Sequence, residues 1–420
     1  MFSTSVWGQA TISSEDRALL EKIQRDTIQY FVRHSDRETG LTQDSSRPGS
    51  PASIAATGFS LASIAVAQSH GWIPREQAYD QIRKTLQTLQ SEAHHQNGFF
   101  YHFLDPKTGK RVWRSEVSSI DTALLLAGAL LAAQYFPETD IPHLARTIYE
   151  RVDWNWMMNG SPLLSHGWKP ESGFLPYYWD TYNELIILQA LAVGASKNAI
   201  PLEAWEAWDR LEDEYNGKRI IYSHSGSLFT YQFSQAYIDF RNLQDRDINY
   251  FENSRNASIA NWEYSGSFSA EARPLADEGG PTSGGKEKYK SYSKVSWGLS
   301  ACLGPGGYRA YGGKPGQGIH DGTIAPHASI GSLVFTPELS VPAIKFFYRQ
   351  YSDSLYGPLG FKDAFNLDKK WWSREYLGID QGISVLMLEN FLTDGGIWEK
   401  FMRLPAIQRW IELCKLTRPE

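Results

Sequence analysis

Ser118-Ser-Ile-Asp-Thr-Ala-Leu-Leu-Leu-Ala-Gly-Ala-Leu-Leu-Ala-Ala-Gln-Tyr135 is the stretch whose reading decides the fold. From Ala123 to Ala133 every residue is apolar or glycine. Alanine and leucine are among the best helix formers, and a helix that is apolar all round is buried on every side. The run is too short to cross a bilayer, which needs about 20 such residues. The segment therefore reads as an inner helix, and Pro142 to Trp154 as its outer partner.

The same alternation extends in both directions. Ser14 to Val32 carries Leu19, Leu20, Ile23, Ile28 and Phe31 at helical spacing, and Ser53 to His70 is rich in small residues suited to close packing. Arg75 to Ala93 has a polar face and an Ala78, Ile82, Leu86, Leu89 stripe. Thr181 to Val193 is again apolar and Pro201 to Tyr215 amphipathic; Ile248 to Trp262, Thr323 to Val334, Val341 to Tyr351, Gln381 to Phe391 and Pro405 to Leu416 follow. About a dozen helices in nested pairs predict an all-α protein, an (α/α)6 barrel or toroid, with long loops and short hairpins at its rim. Gly98 to Phe103 and Arg219 to Ser223 are the strand candidates, each in a hairpin at the mouth. Residues 16–420 read as one domain, with 1–15 disordered or processed. The Trp7-Gly-Gln-Ala10 stretch reads either as the tail of a signal peptide or as an ordinary frayed end. The first alternative makes the expected location periplasmic or secreted. The Gly-dense stretch Ala276 to Gly285 reads as a mobile surface insert.

Composition narrows the partners. A net charge of −6 with no long run of one sign argues against nucleic acid, and equally against an acidic polymer of the kind a polysaccharide lyase cleaves. The 15 Trp, 22 Tyr and 20 Phe suit a neutral sugar polymer, although most of them must build the core. The expected partner is an oligo- or polysaccharide bound by a monomer, with no nucleic acid and no membrane span. Cys302 and Cys414 have no metal spacing, and the sequence leaves open whether they pair. His102, His224, His320 and His327 are scattered and match no zinc motif, so no metal and no organic cofactor are expected.

The chemistry is carried by carboxylates that open apolar helices: Asp121, Asp180 and Glu184, Asp321, and Asp380. If inner helices all point one way, their N-termini share one rim and these acids converge there. Paired carboxylates among aromatic residues are what glycosidic hydrolysis needs. Each has a structural alternative. Ser118-x-x-Asp121 and Thr181-x-x-Glu184 fit a capping box, and Asp321 and Asp380 fit simple stabilisation by a helix dipole. Asp180 and Glu184 share a face if their helix starts early enough, and like charges that close raise one pKa. We take Glu184 as general acid and Asp121 or Asp380 as base. Glu116, Asp180, Arg47, Trp168, Trp179, Tyr182, Arg241, Asp321, Trp371 and Trp372 are the candidate substrate-binding residues. For Arg47 and Arg241 an ion pair is the competing reading.

Ordered blocks across nearly the whole chain resemble the glycoamylase-like family, which includes the endo-β-1,2-glucanases of glycoside hydrolase family 144. They include Ser53-Ile-Ala-Ala-Thr-Gly-Phe59, Gly98-Phe-Phe-Tyr-His-Phe103, Ser118 to Leu125, Tyr182-Asn-Glu184, Ile238-Asp-Phe-Arg241, Asp321-Gly-Thr-Ile-Ala-Pro326, Phe361-Lys-Asp-Ala-Phe-Asn366 and Leu377-Gly-Ile-Asp-Gln-Gly382. The resemblance implies an (α/α)6 barrel with an acidic cleft and an inverting endohydrolase of β-1,2-glucan without metal or organic cofactor. A transglycosylase on the same glucan and a non-catalytic glycan-binding protein are the alternatives. The sequence departs from the family pattern at Tyr231 and Gln235, where histidines are common, and at Leu303, where an acid is common.

Overall fold

The computed structural model describes residues 12–271, 288–316 and 318–417. The first eleven residues and the segment Ala276 to Gly285 lie outside the described residues. Fifteen helices occur among those described. They are α1 (Ser14–Arg33), α2 (Ile54–Ser69), α3 (Arg75–Ser91), α4 (Ser119–Tyr135), α5 (Ile141–Glu150), α6 (Trp154–Met158), α7 (Leu185–Val193), α8 (Glu203–Ala207), α9 (Phe229–Tyr237), α10 (Tyr250–Ser267), α11 (Pro326–Gly331), α12 (Pro337–Leu355), α13 (Gly378–Leu392), α14 (Gly396–Phe401) and α15 (Pro405–Leu413).

Six of them pack in a closed circuit: α2 on α4, α4 on α7, α7 on α9, α9 on α11, α11 on α13, and α13 back on α2. The circuit follows from sequence. Every residue of α7 is buried, and α4 buries all but Asp121 and its last two residues. Helices with no polar face must be covered on all sides. The covering layer is α1 on α13 and α2, α3 on α2, α5 on α4, α15 on α7, α10 on α9 and α12 on α11. Apart from α10, which buries Asn253, Ser254, Ser258 and Asn261 among its apolar residues, these outer helices are amphipathic; α3 buries the Ala78, Ile82, Leu86, Leu89 stripe and leaves its other face to water. The tightest crossing is α2 on α4, where a Cβ on Gly128 would sit 1.9 Å from the Gly58 carbonyl oxygen. No helix among the described residues is long and apolar enough to cross a membrane.

The expected helices form, though Thr181 to Val193 is helical only from Leu185 and Thr323 to Val334 only over Pro326–Gly331, except over Pro201 to Tyr215, where only Glu203–Ala207 is helical. Asn216-Gly217, both at positive φ (48° and 76°), makes the tight hairpin turn these residues favour. It pairs Glu212–Tyr215 with Lys218–Ile221 and so takes the end of the expected helix into a strand. The sequence reading missed α9. Phe229-Thr-Tyr-Gln-Phe-Ser-Gln-Ala-Tyr237 carries Phe229, Phe233, Ala236 and Tyr237 at helical spacing among polar residues, and eight of its nine residues are buried. Three of its polar groups donate to neighbouring segments. Gln232 Nε2 donates to the Ala328 carbonyl (2.8 Å), Gln235 Nε2 to the Tyr250 carbonyl (2.7 Å) and Ser234 Oγ to the Glu184 carbonyl (3.0 Å). The remaining strands are short hairpins, among them Ala301–Gly304 with Gly307–Ala310. Cys302 and Cys414 are both free and buried.

Candidate active site

A cavity of about 620 Å³ opens where the N-termini of the inner helices meet. Its wall takes Ala55 from the start of α2, Asp121 from α4, Glu184 immediately before α7, Phe229 from α9, and Ile379 and Asp380 from α13. Cavities of about 790 and 530 Å³ flank it. The first shares Arg47, Leu303 and Glu375 with the central cavity, and the second shares Glu184 and Phe229. Together they form one cleft with Glu184 at an inner junction.

Glu184 occupies the N-cap position of α7, but its carboxyl makes no capping bond. Asn183 Oδ1 accepts the Leu185 N–H at 2.8 Å, doing the work the Thr181-x-x-Glu184 pattern offered to the glutamate. That leaves the Glu184 carboxyl to face the cavity. Burial, with the Asp121 charge adding to it, pushes its pKa up to about 7. Asp180 plays no part in this rise. The helix starts only at Leu185, so Asp180 is not on its face as expected; it lies exposed on the wall of the flanking 530 Å³ cavity.

Asp121 combines capping geometry with a site position. Ser118 Oγ accepts the Asp121 N–H (3.2 Å) and donates to Asp121 Oδ2 (2.5 Å). The other oxygen faces His102 Nε2 at 3.7 Å, and His102 Nδ1 contacts Glu116 Oε1 at 3.0 Å. Burial opposes protonation of His102, but the Asp121 charge and the Glu116 hydrogen bond outweigh it and raise the imidazole to about 9. Glu116 is held down to about 2 chiefly by the same hydrogen bond. Glu116 therefore braces His102 from behind and does not line the cavity.

Asp380 is 2% exposed, in the first turn of α13, without a capping bond. It contacts Asp363 and lies 3.4 Å from His327 Nε2. Burial, then the Asp363 charge, raises Asp380 well above the carboxylate range, and burial raises Asp363 too. Asp363 Oδ2 accepts the Leu303 N–H at 2.6 Å. Burial lowers His327 to about 3, so it is neutral. These three side chains are also the one group of potential metal ligands among the described residues. Two carboxyls in contact and shielded from water share one proton readily, which accounts for their closeness without an ion.

Arg47 lines the cleft while forking onto Glu375 (2.6 and 3.1 Å), so both readings of it hold. Trp371 and Trp372 wall the 790 Å³ lobe, and Trp179 and Tyr182 border the 530 Å³ lobe. Both of the latter are mainly core. Trp179 Nε1 donates to Ser119 Oγ (2.8 Å), and Tyr182 is 2% exposed and stacks on Tyr250. Besides Glu116, three candidates fall outside all three cavities. Arg241 is held by Asp239 and Asp394 over the Trp398 ring. Asp321 braces a turn, accepting from the Thr323 N–H (3.1 Å) and hydroxyl (2.6 Å). Trp168 packs edge-on against Trp156. Tyr231 and Gln235 are buried bracing groups and Tyr231 Oη accepts the Ser223 N–H, so of the three departures only Leu303 reaches the cleft.

Sequence reasoning passed over Asp44, His102, Asp363, Trp113 and Tyr308. Asp44 lines the cavity, and burial raises it to about 6. None of these opens an apolar helix, which was the signal used. Only the block around Asp363 and the one ending in Phe103 stood out at all.

The described residues thus form a closed circuit of buried helices whose N-termini gather acids around an aromatic-rimmed cleft. The family model described as "Putative glucoamylase" matches residues 176–405, more than half of the chain, and the chain belongs to that glycoamylase family. It is 28% identical to an exo β-1,2-glucooligosaccharide sophorohydrolase of Parabacteroides distasonis, over 96% of this chain but only 58% of the relative. It superposes on an endo-β-1,2-glucanase of Chitinophaga pinensis, in complex with sophorotriose and glucose, with a TM-score of 0.87. That match has 26% identity and covers 97% of this chain and all of the other. A β-1,2-glucanase of Parabacteroides distasonis gives a TM-score of 0.85 at 26% identity, over 96% of this chain and 60% of that one.

Proposed function

We propose that this protein is an inverting, endo-acting glycoside hydrolase of β-1,2-glucan, built as an (α/α)6 barrel, with Glu184 as general acid and Asp380 as general base. The observation that carries the roles is position in the circuit. Counting α2, α4, α7, α9, α11, α13, the helices that present Glu184 and Asp380 are three steps apart, opposite members of the ring. Asp121 is on the neighbour of the Glu184 helix. An inverting enzyme needs its acid and base on opposite faces of the sugar, with room for a water between them. Glu184 and Asp380 suit that; Asp121 suits tuning of the acid.

In the reaction the protonated Glu184 gives its proton to the glycosidic oxygen as the anomeric C–O bond breaks. A water attacks the anomeric carbon from the other face and yields its proton to Asp380. The proton shared within the pair rests on Asp380, the more strongly raised of the two, and passes to Asp363 before Asp380 takes up the water's proton. The β-1,2 linkage is supported by the relatives' substrates. Endo action is supported by the cleft, which continues to both sides of the central cavity and so accommodates a chain running through.

Linear β-1,2-glucan incubated with wild type and with Glu184→Gln tests this. A rapid fall in mean chain length, with newly formed α-anomeric ends seen by NMR from wild type only, is expected. Release of disaccharide alone from one end replaces endo with exo action. Products longer than the substrate replace hydrolysis with transglycosylation.

A further inference from the structure

Five large apolar side chains stand exposed among the described residues: Trp113, Tyr177, Tyr308, Ile319 and Leu413. All three aromatic ones line the cleft, Trp113 and Tyr308 in the central cavity and Tyr177 in the lobe beyond Glu184. Exposed apolar surface collected in a cavity, rather than scattered, marks a place where something binds.

Trp113 is 69% exposed, yet its backbone is tightly held. Trp113 and Arg114 both adopt left-handed conformations, φ 57° and 51°, which non-glycine residues keep only where the surroundings impose them. The surroundings do so here. The Val112 N–H donates to the Phe103 carbonyl (3.1 Å), Ser115 Oγ donates to the same carbonyl (3.2 Å), and Arg111 forks onto Glu171 (2.7 and 2.9 Å). Behind the indole stands Phe103, ring centroids 5.1 Å apart, itself stacked at 3.9 Å on His102. The indole is thus backed on one side and offers its other side to the cavity.

Tyr308, 53% exposed, lies on the hairpin opposite Leu303, whose N–H is fixed by Asp363. Trp113 comes from the segment that leads into α4 and Tyr308 from the hairpin held beside Asp363, and both line the central cavity together with Glu184 and Asp380.

We propose that Trp113 and Tyr308 form a two-sided aromatic clamp for one neutral hexopyranosyl ring, the indole against its C–H face and the phenol across from it beside the base. The two cations that line this cavity, Arg47 and His102, are already paired with Glu375 and Glu116, so a neutral ring fits better than an anionic one. The clamp rests on the reading of the cavity as a glucan site.

The test uses the full chain: Trp113→Ala, Trp113→Phe, Tyr308→Ala and the double alanine variant, each checked for an unchanged melting temperature. Hydrolysis is measured by KM and kcat, and oligosaccharide binding by calorimetry in a Glu184→Gln background. Trp113→Ala is expected to raise KM about tenfold with little change in kcat, the mark of lost ground-state binding. Trp113→Phe should retain most of the affinity. The double variant should lose less than the product of the two single losses, because both residues grip one ring. An unchanged KM in Trp113→Ala, or single losses that simply multiply, overturns the clamp. Wild type that binds no β-1,2-glucooligosaccharide overturns the functional reading instead, and the same variants are then titrated with β-1,3-, β-1,4- and α-1,4-glucooligosaccharides. Absence of binding to all of these overturns the clamp as well.

Discussion

Removing the Asp121 charge with Asp121→Asn should move the alkaline limb of the kcat/KM–pH profile to lower pH. Glu184 must be protonated to act as an acid, so wild-type activity is expected to fall as pH rises through about 7. The rise from the ordinary 4.5 to about 7 corresponds to about 3 kcal/mol in favour of the protonated carboxyl. Burial is the larger cause and the Asp121 charge the smaller. Asparagine leaves burial intact and removes only the charge, which makes ionisation of Glu184 easier. Its pKa therefore drops, by roughly half to one pH unit, or about 1 kcal/mol. The profile is read from roughly pH 5 to 9 with β-1,2-glucooligosaccharides of fixed length, scoring reducing ends. A limb that stays in place shows that Asp121 does not tune Glu184, and one that moves upward refutes the electrostatic argument altogether. A wild-type profile with no fall near pH 7 removes Glu184 as the acid.

Glu184→Gln should lower kcat by about 10²–10⁴-fold with KM nearly unchanged, since the amide keeps the shape but has no proton to give. Asp363→Ala should lower thermal stability by about 1–3 kcal/mol, because it strands the Leu303 N–H. Asp363→Asn keeps an acceptor for that N–H, and by removing the charge that raises Asp380 it should shift the acid limb to lower pH. An acid limb that does not move in Asp363→Asn separates Asp363 from the base. Gly128→Ala should destabilise by about 1–3 kcal/mol or more in denaturant unfolding, because its Cβ would lie 1.9 Å from the Gly58 carbonyl oxygen and force α2 and α4 apart.

The sequence by itself determined that the chain folds into layered helices, and which of them are innermost. Ser118 to Tyr135 and Leu185 to Val193 have no face that water tolerates, so their burial is fixed by composition alone. The carboxylates at their starts were legible for the same local reason. A polar residue heading an apolar helix must sit at the rim where the helix emerges, and Asp121, Glu184 and Asp380 all do. Pairing across space was not legible. Whether Glu184 or Asn183 would cap α7 depended on where the helix begins, and the structure begins it at Leu185. Asp321 obeyed the same local rule as Asp380, yet its oxygen is taken by Thr323 two residues on, while Asp380 meets Asp363 and His327 from other parts of the chain. The helix at Phe229–Tyr237 escaped notice because it is short and its apolar positions alternate with buried glutamines and a serine that donate to carbonyls and hydroxyls of other segments, partners that no window of sequence contains. Closure of the ring decided the rest. Contacts between residues far apart in the chain brought Asp44, His102, Asp363, Trp113 and Tyr308 to one cleft. Desolvation and charge, which set what a carboxyl can do, exist only once that closure has excluded the water.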